Sequence, residues 1–139
     1  MSAGRGFLLD TNVISETRKQ RPEARVTGFL AEAEPESLWL SVLTLGELRK
    51  GVETRRRVDT TGATLLAGWV DEMEMRFSRQ VLPIDGRVAR LWGEWSAART
   101  RPVVDTLLAA TAAVHGLTLV TRNEKDVADL PVEWMNPWA

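Results

Sequence analysis

Hydrophobic positions along the chain alternate between short continuous apolar runs and longer stretches that repeat every three to four residues, and this alternation predicts strands separated by helices. Residues 7–9 read as a short buried strand, and residues 12–17 begin a helix around Val13 and Ile14. Behind Pro22, the recurrence of Val26, Phe29, Leu30 and Ala33 predicts an amphipathic helix over 23–33. Residues 38–42 form a second strand. Thr44, with Glu47 three residues later, then opens a helix to about Thr54. A longer helix over 60–77 places Leu65, Leu66, Trp69, Val70 and Met73 on one side, and residues 81–84 are a strand or an extended connector. Asp85 caps a helix whose inner face holds Val88, Leu91, Trp92 and Trp95. Residues 102–114 are apolar nearly all round, which predicts a well buried helix. Gly116 supplies its left-handed stop. The next strand covers 117–120 and the last 132–134.

This order implies βαβ units, hence an α/β fold whose mainly parallel sheet is covered on both faces. At 139 residues the chain fits one domain over 1–139, a size that buries roughly 70% of the unfolded surface. No repeat, linker or low-complexity stretch interrupts it. Apolar and charged fractions of 44% and 27% are ordinary globular values. There is no apolar run of about eighteen residues to span a membrane, and no signal-peptide pattern over residues 1–5. A soluble cytoplasmic protein without a membrane partner is expected. The absence of cysteine excludes disulfides, thiolate nucleophiles and zinc thiolate sites. His115 is the single histidine, which argues against a Ser-His-Asp triad or a histidine-rich metal site. Trp92 and Trp95, at helical spacing, read as core or dimer-surface residues rather than a base-stacking platform.

Four acidic segments stand just past a strand or in the first turn of an apolar helix: Asp10, Glu47, Asp105, and the turn holding Asn123 and Asp126. Those are positions where an open α/β sheet gathers its site. Each has a structural reading as well. Asp10 before Thr11 and Asn12 suits a helix cap, Glu47 completes a capping box with Thr44, Asp105 suits a helix dipole, and Asp126 suits a solvated turn. Asp105, however, has Val103, Val104, Leu107 and Leu108 around it, and a buried carboxylate needs a partner or a cation. Carboxylates gathered together raise one another's pKa unless a cation compensates. An oxygen-only donor set selects magnesium or manganese over zinc or copper. Such a site can generate a metal hydroxide for in-line attack on phosphorus. No Walker loop, dinucleotide glycine fingerprint or His-Glu-x-x-His pair offers another chemistry.

A net charge of −1 decides nothing about nucleic acid, because charges segregate between faces. Basic clusters lie at Arg18, Lys19 and Arg21, at Arg49 and Lys50, at Arg55 to Arg57, at Arg99 and Arg101, and at Arg122 and Lys125. They read as solvated surface charge or, beside the acidic segments, as phosphate contacts.

In this order and spacing the residues resemble the PIN-domain nucleases, and most closely the VapC-type toxins of bacterial type II toxin-antitoxin pairs. The likeness runs through Phe7-Leu8-Leu9-Asp10-Thr11-Asn12-Val13-Ile14-Ser15-Glu16, Ser41 to Gly51 around Glu47, Asp105 with Leu108 to Ala112, and Leu119 to Asn123. The ending Asn136-Pro137-Trp138 is similar to the FitB-like branch. The resemblance implies a three-layer α/β/α sandwich and a magnesium-dependent endoribonuclease, manganese being a possible substitute. It also implies a homodimer and a VapB-like antitoxin that joins it in a hetero-oligomer and alone contacts DNA. It carries catalytic and metal-binding roles onto Asp10, Glu47 and Asp105. Either Asn123 or Asp126 completes the metal site, with Asp126 as the acidic choice; Asn12 orients Asp10, and Arg122 contacts substrate phosphate. The competing expectation is a non-enzymatic partner in an antitoxin-containing, DNA-binding regulatory complex.

Overall fold

The computed structural model describes residues 6–139; residues 1–5, which bear on the signal-peptide reading, lie outside the described residues. Five parallel strands form one sheet in the order β3-β2-β1-β4-β5. They are β1 (Phe7–Leu9), β2 (Leu38–Ser41), β3 (Val81–Leu82), β4 (Thr118–Val120) and β5 (Trp134–Met135). The connecting helices are α1 (Thr11–Glu16), α2 (Ala24–Glu32), α3 (Val42–Arg56), α4 (Thr60–Arg76), α5 (Gly86–Ala98), α6 (Val103–His115) and α7 (Glu124–Val127). None of the described helices is long and apolar enough to cross a membrane.

Successive strand residues enter different cores, which is the period-two signature of a sheet buried on both faces. Leu9, Leu38, Leu40 and Val120 join Val26, Leu48, Val52, Val70 and Met73 from α2, α3 and α4. Leu8 and Leu119 join Leu108, Ala109 and Ala112 of α6, with Val127 and Leu130 beyond them. The three-layer α/β/α arrangement follows. Gly6 allows the close approach of the chain before β1 to the entry of β2, since a Cβ there would lie 2.3 Å from the Ser37 carbonyl oxygen.

The boundaries depart from the sequence reading in instructive places. The α3 helix begins two residues before Thr44, and Ser41 is its cap, its Oγ accepting from the Leu43 amide at 3.0 Å. The Thr44–Glu47 capping box is therefore absent, and Thr44 is a buried helical residue. Leu65 was expected on the inner side of α4 but is 65% exposed, because the core stripe runs instead through Ala63, Val70 and Met73. Burial of α6 is confined to its middle; Val103 at its start is exposed. The final strand lies at Trp134–Met135, pairing with Leu119 and Val120. Asp59 and Asp85 cap α4 and α5, and Gly116 takes the left-handed conformation at φ 66°.

Candidate active site

Strand order reverses beside β1: β2 lies on one side of it and β4 on the other. A crevice therefore opens past the carboxyl ends of β1 and β4. Asp10 is the first residue after β1 and Thr121 the first after β4. The Thr121 hydroxyl donates to Asp10 Oδ2 at 2.8 Å, and both residues are buried, at 2% and 4% exposure. The nearby main-chain amides of Thr11 and Asn12 also favour the charged carboxylate, although Asp10 makes no side-chain cap bond to α1. Burial nevertheless raises its pKa, against those hydrogen bonds, and the charge of Glu47 adds to the rise. Asn12 thus reaches Asp10 through its backbone, while its side chain is exposed.

Glu47 projects from α3 and accepts a hydrogen bond from the Thr11 hydroxyl, which lies 3.1 Å from that of Thr44. The contact joins residues thirty-six apart in sequence. On the other side, α6 presents Asp105 in its first turn. Its pKa is pushed up to about 6, first by burial, then by the charge of Asp10, then by the shared hydrogen bond and charge of Asp126. The Asn123 amide donates to both Asp105 oxygens at 3.5 Å and opposes that rise. Asp126, read from sequence as part of a solvated turn, sits half-buried in α7.

The four acids thus form a chain of interacting neighbours, Glu47 with Asp10, Asp10 with Asp105, and Asp105 with Asp126. Among the described residues, no three acidic or imidazole groups are drawn together into a ready cage for a metal. The donor chemistry still fits a hard cation. Every donor is oxygen, neighbouring negative charge raises the proton affinity of Asp10 and Asp105, and magnesium typically takes one or two carboxylates while keeping several waters.

Most basic clusters are structural. Arg49 pairs with Asp71 and Glu74 across α3 and α4, Arg55 with Asp59, and Arg56 with Glu53. Arg99 and Arg101 both grip Asp129, whose pKa falls as a result. The Arg101 side chain is 6% exposed and also bonds the Trp95 carbonyl, so this clamp fixes the start of the Asp105 helix against the end of α7. Arg122 is exposed, with its guanidinium 5.0 Å from the Trp138 ring centroid. Buried Glu16 is a further structural acid, accepting from the Glu23 amide and pairing with Lys19 at 2.9 Å.

A family model for the PIN domain matches residues 7–131, from the strand that delivers Asp10 to just past the Asp129 clamp. The chain belongs to the PIN-domain family. This PIN domain is 33% identical to Toxin FitB of Neisseria gonorrhoeae over 95% of the chain and 98% of that protein. It is 34% identical to a VapC ribonuclease of Sinorhizobium fredii, over 95% of the chain and 97% of the relative. The solved structure of FitAB bound to a DNA fragment superimposes with a TM-score of 0.86 at 29% identity, covering 96% of each chain. Two members of this site escaped the sequence reading, Thr11 and Thr121. Both lie beside strand-end acids, and a polar residue directly after an apolar strand next to β1 is the signal that marks Thr121.

Proposed function

We propose that this PIN domain is a magnesium-dependent endoribonuclease, the toxin of a VapBC-type pair, acting in the cytoplasm on RNA phosphodiester bonds. The observation that carries the reading is the linked row of Glu47, Asp10, Asp105 and Asp126 at the strand switch point, whose mutual repulsion calls for a cation. Asp10, Glu47 and Asp105 would hold the ion, with Asp126 as the fourth acid. When bound, magnesium supplies positive charge to phosphate oxygens and lowers the pKa of attacking water. The protein's own part is positioning. Thr121 orients Asp10, the Thr11 hydroxyl holds Glu47, and Asn123 turns Asp105. Arg122, exposed one residue beyond Thr121, is offered as a phosphate contact. The chain would work as a homodimer, silenced by a VapB-like antitoxin that alone contacts DNA.

The test is cleavage of RNA by the purified chain with magnesium or manganese and without either. Asp10→Asn and Asp105→Asn should each reduce the rate by more than about a hundredfold, since losses beyond the metal's direct ligands already reach that size. Full activity in both variants would remove the assignment. A second reading, a non-enzymatic member of a DNA-binding complex, draws on the FitAB neighbour having been solved on DNA. It predicts promoter binding by the partnered complex with no growth arrest and no RNA loss when this chain is expressed alone.

A further inference from the structure

Beside the acid row, a cleft of about 270 Å³ opens between α1, α3 and α4. Thr11 and Ser15 come from α1, Arg18 from the turn that follows it, Glu47 and Gly51 from α3, and Trp69 from α4. Glu47 and Gly51 also line a recess of about 590 Å³ farther along α3, where Lys50 stands. The two hollows therefore meet at Gly51, and the first meets the acid row at the hydrogen-bonded pair Thr11 and Glu47.

The chemistry along this trough is uneven in a revealing way. Lys19, Arg49 and Arg55 are taken up by ion pairs, whereas Arg18 and Lys50 have no ion-pair partner among the described residues. Among the described residues, each hollow thus carries one cation without an ion-pair partner. Trp69 is half-buried, packed against the core on one side and lining the cleft on the other. Gly51 lies inside α3, where glycine is unfavourable relative to alanine. Neither a left-handed backbone nor a crowding neighbour explains it, because its φ is ordinary for a helix and an added Cβ would meet nothing within 4 Å. What its missing side chain does is leave the trough open where the two hollows join.

Cations that follow a backbone, combined with an aromatic face on which a base can stack, are how proteins hold single-stranded nucleic acid. We propose that this trough is the substrate subsite flanking the cut bond, with a nucleobase against Trp69, neighbouring phosphates on Arg18 and Lys50, and Gly51 as the open floor. The assignment rests on the ribonuclease reading and goes beyond it by naming where the strand leaves the acid row.

The experiment uses the full chain with magnesium and a pool of single-stranded oligoribonucleotides, with fragment ends sequenced and KM and kcat measured. Gly51→Leu fills the floor without touching an acid; it should raise KM at least about tenfold while the thermal midpoint is unchanged or higher. Trp69→Ala should flatten base preference at one position beside the cut, and Trp69→Phe should restore it. Arg18→Gln with Lys50→Gln should lower the salt dependence of binding by about two counterions, roughly one for each lost phosphate contact. Wild-type KM and wild-type base preference in folded Gly51→Leu and Trp69→Ala would overturn the subsite while leaving the nuclease standing. So would a Gly51→Leu protein that cuts normally but loses its antitoxin, which would make the trough a peptide site. No magnesium-dependent cutting by the unaltered chain would remove the nuclease reading first, and the subsite with it.

Discussion

Asp105→Asn should stabilise the metal-free protein even as it destroys the proposed activity. The carboxyl of Asp105 ordinarily titrates near 3.8 and here is pushed up to about 6. At 1.36 kcal/mol per pH unit, the native state disfavours its ionised form by roughly 3 kcal/mol. Asp105 is only half-buried, and solvent screening reduces this to about 1–2 kcal/mol. The sign follows from proton binding. Below about pH 3.8 the carboxyl is protonated in both the folded and the unfolded chain and costs nothing. Between 3.8 and about 6 the unfolded chain loses its proton first, and above 6 the full penalty is present. Asparagine keeps the shape, accepts from the Asn123 amide and donates to Asp126, so the penalty disappears with little packing loss. Melting in EDTA near neutral pH should therefore show the variant about 3–8 °C above the parent, a gap that closes as pH falls from 6 toward 3.8. Magnesium at about a hundred times its dissociation constant should add about 2.7 kcal/mol to the parent and markedly less to the variant. A variant that melts below the parent near neutrality, or a gap indifferent to pH, refutes the electrostatic account.

Thr121→Val removes the donor to Asp10 and the acceptor of the Asn123 main-chain N–H, so unfolding free energy in urea should fall by about 1–3 kcal/mol and cleavage by about 10- to 100-fold. An unchanged rate would show that Asp10 needs no such orientation. Ser41→Ala should cost about 1 kcal/mol in denaturant unfolding through the lost α3 cap, and an unmoved midpoint would return that role to another residue. Gly6→Ala drives a Cβ against the Ser37 carbonyl and should cost about 1–3 kcal/mol, seen as a lower thermal midpoint; a neutral result would mean that β1 and the entry to β2 can separate there.

Much of this architecture was legible in the chain because the central strands are buried on both faces and read as short apolar runs, as at Phe7–Leu9. Caps with an oxygen side chain at a period change, Asp59 and Asp85, were equally open to local reasoning, and Asp85 was read correctly as one. What local pattern could not reach was any choice between two local fits settled by a distant partner. Thr44 and Glu47 match a capping box in spacing, yet Glu47 turns outward to Thr11, and Ser41, at the strand end, takes the cap. Arg99 and Arg101 stand near acidic segments in sequence and could have met phosphate; Asp129, some thirty residues on, occupies both. The acids themselves were visible as strand-end and helix-start residues, whereas their order as interacting pairs depends on the sheet's switch point.

The bond from Thr121 to Asp10 spans 111 residues, and β1 gains its β4 neighbour only through the same pairing. During synthesis, at about 5–20 residues per second, the N-terminal acid emerges from the ribosome several seconds before the strand that steadies it. A nascent chain that ends before Thr121 lacks that donor, and one that ends before Asp105 lacks a proposed metal ligand too. On the ribonuclease reading, a polypeptide built this way cannot attack RNA while its first acid alone has emerged, because the site closes only once β4 has followed and paired with β1.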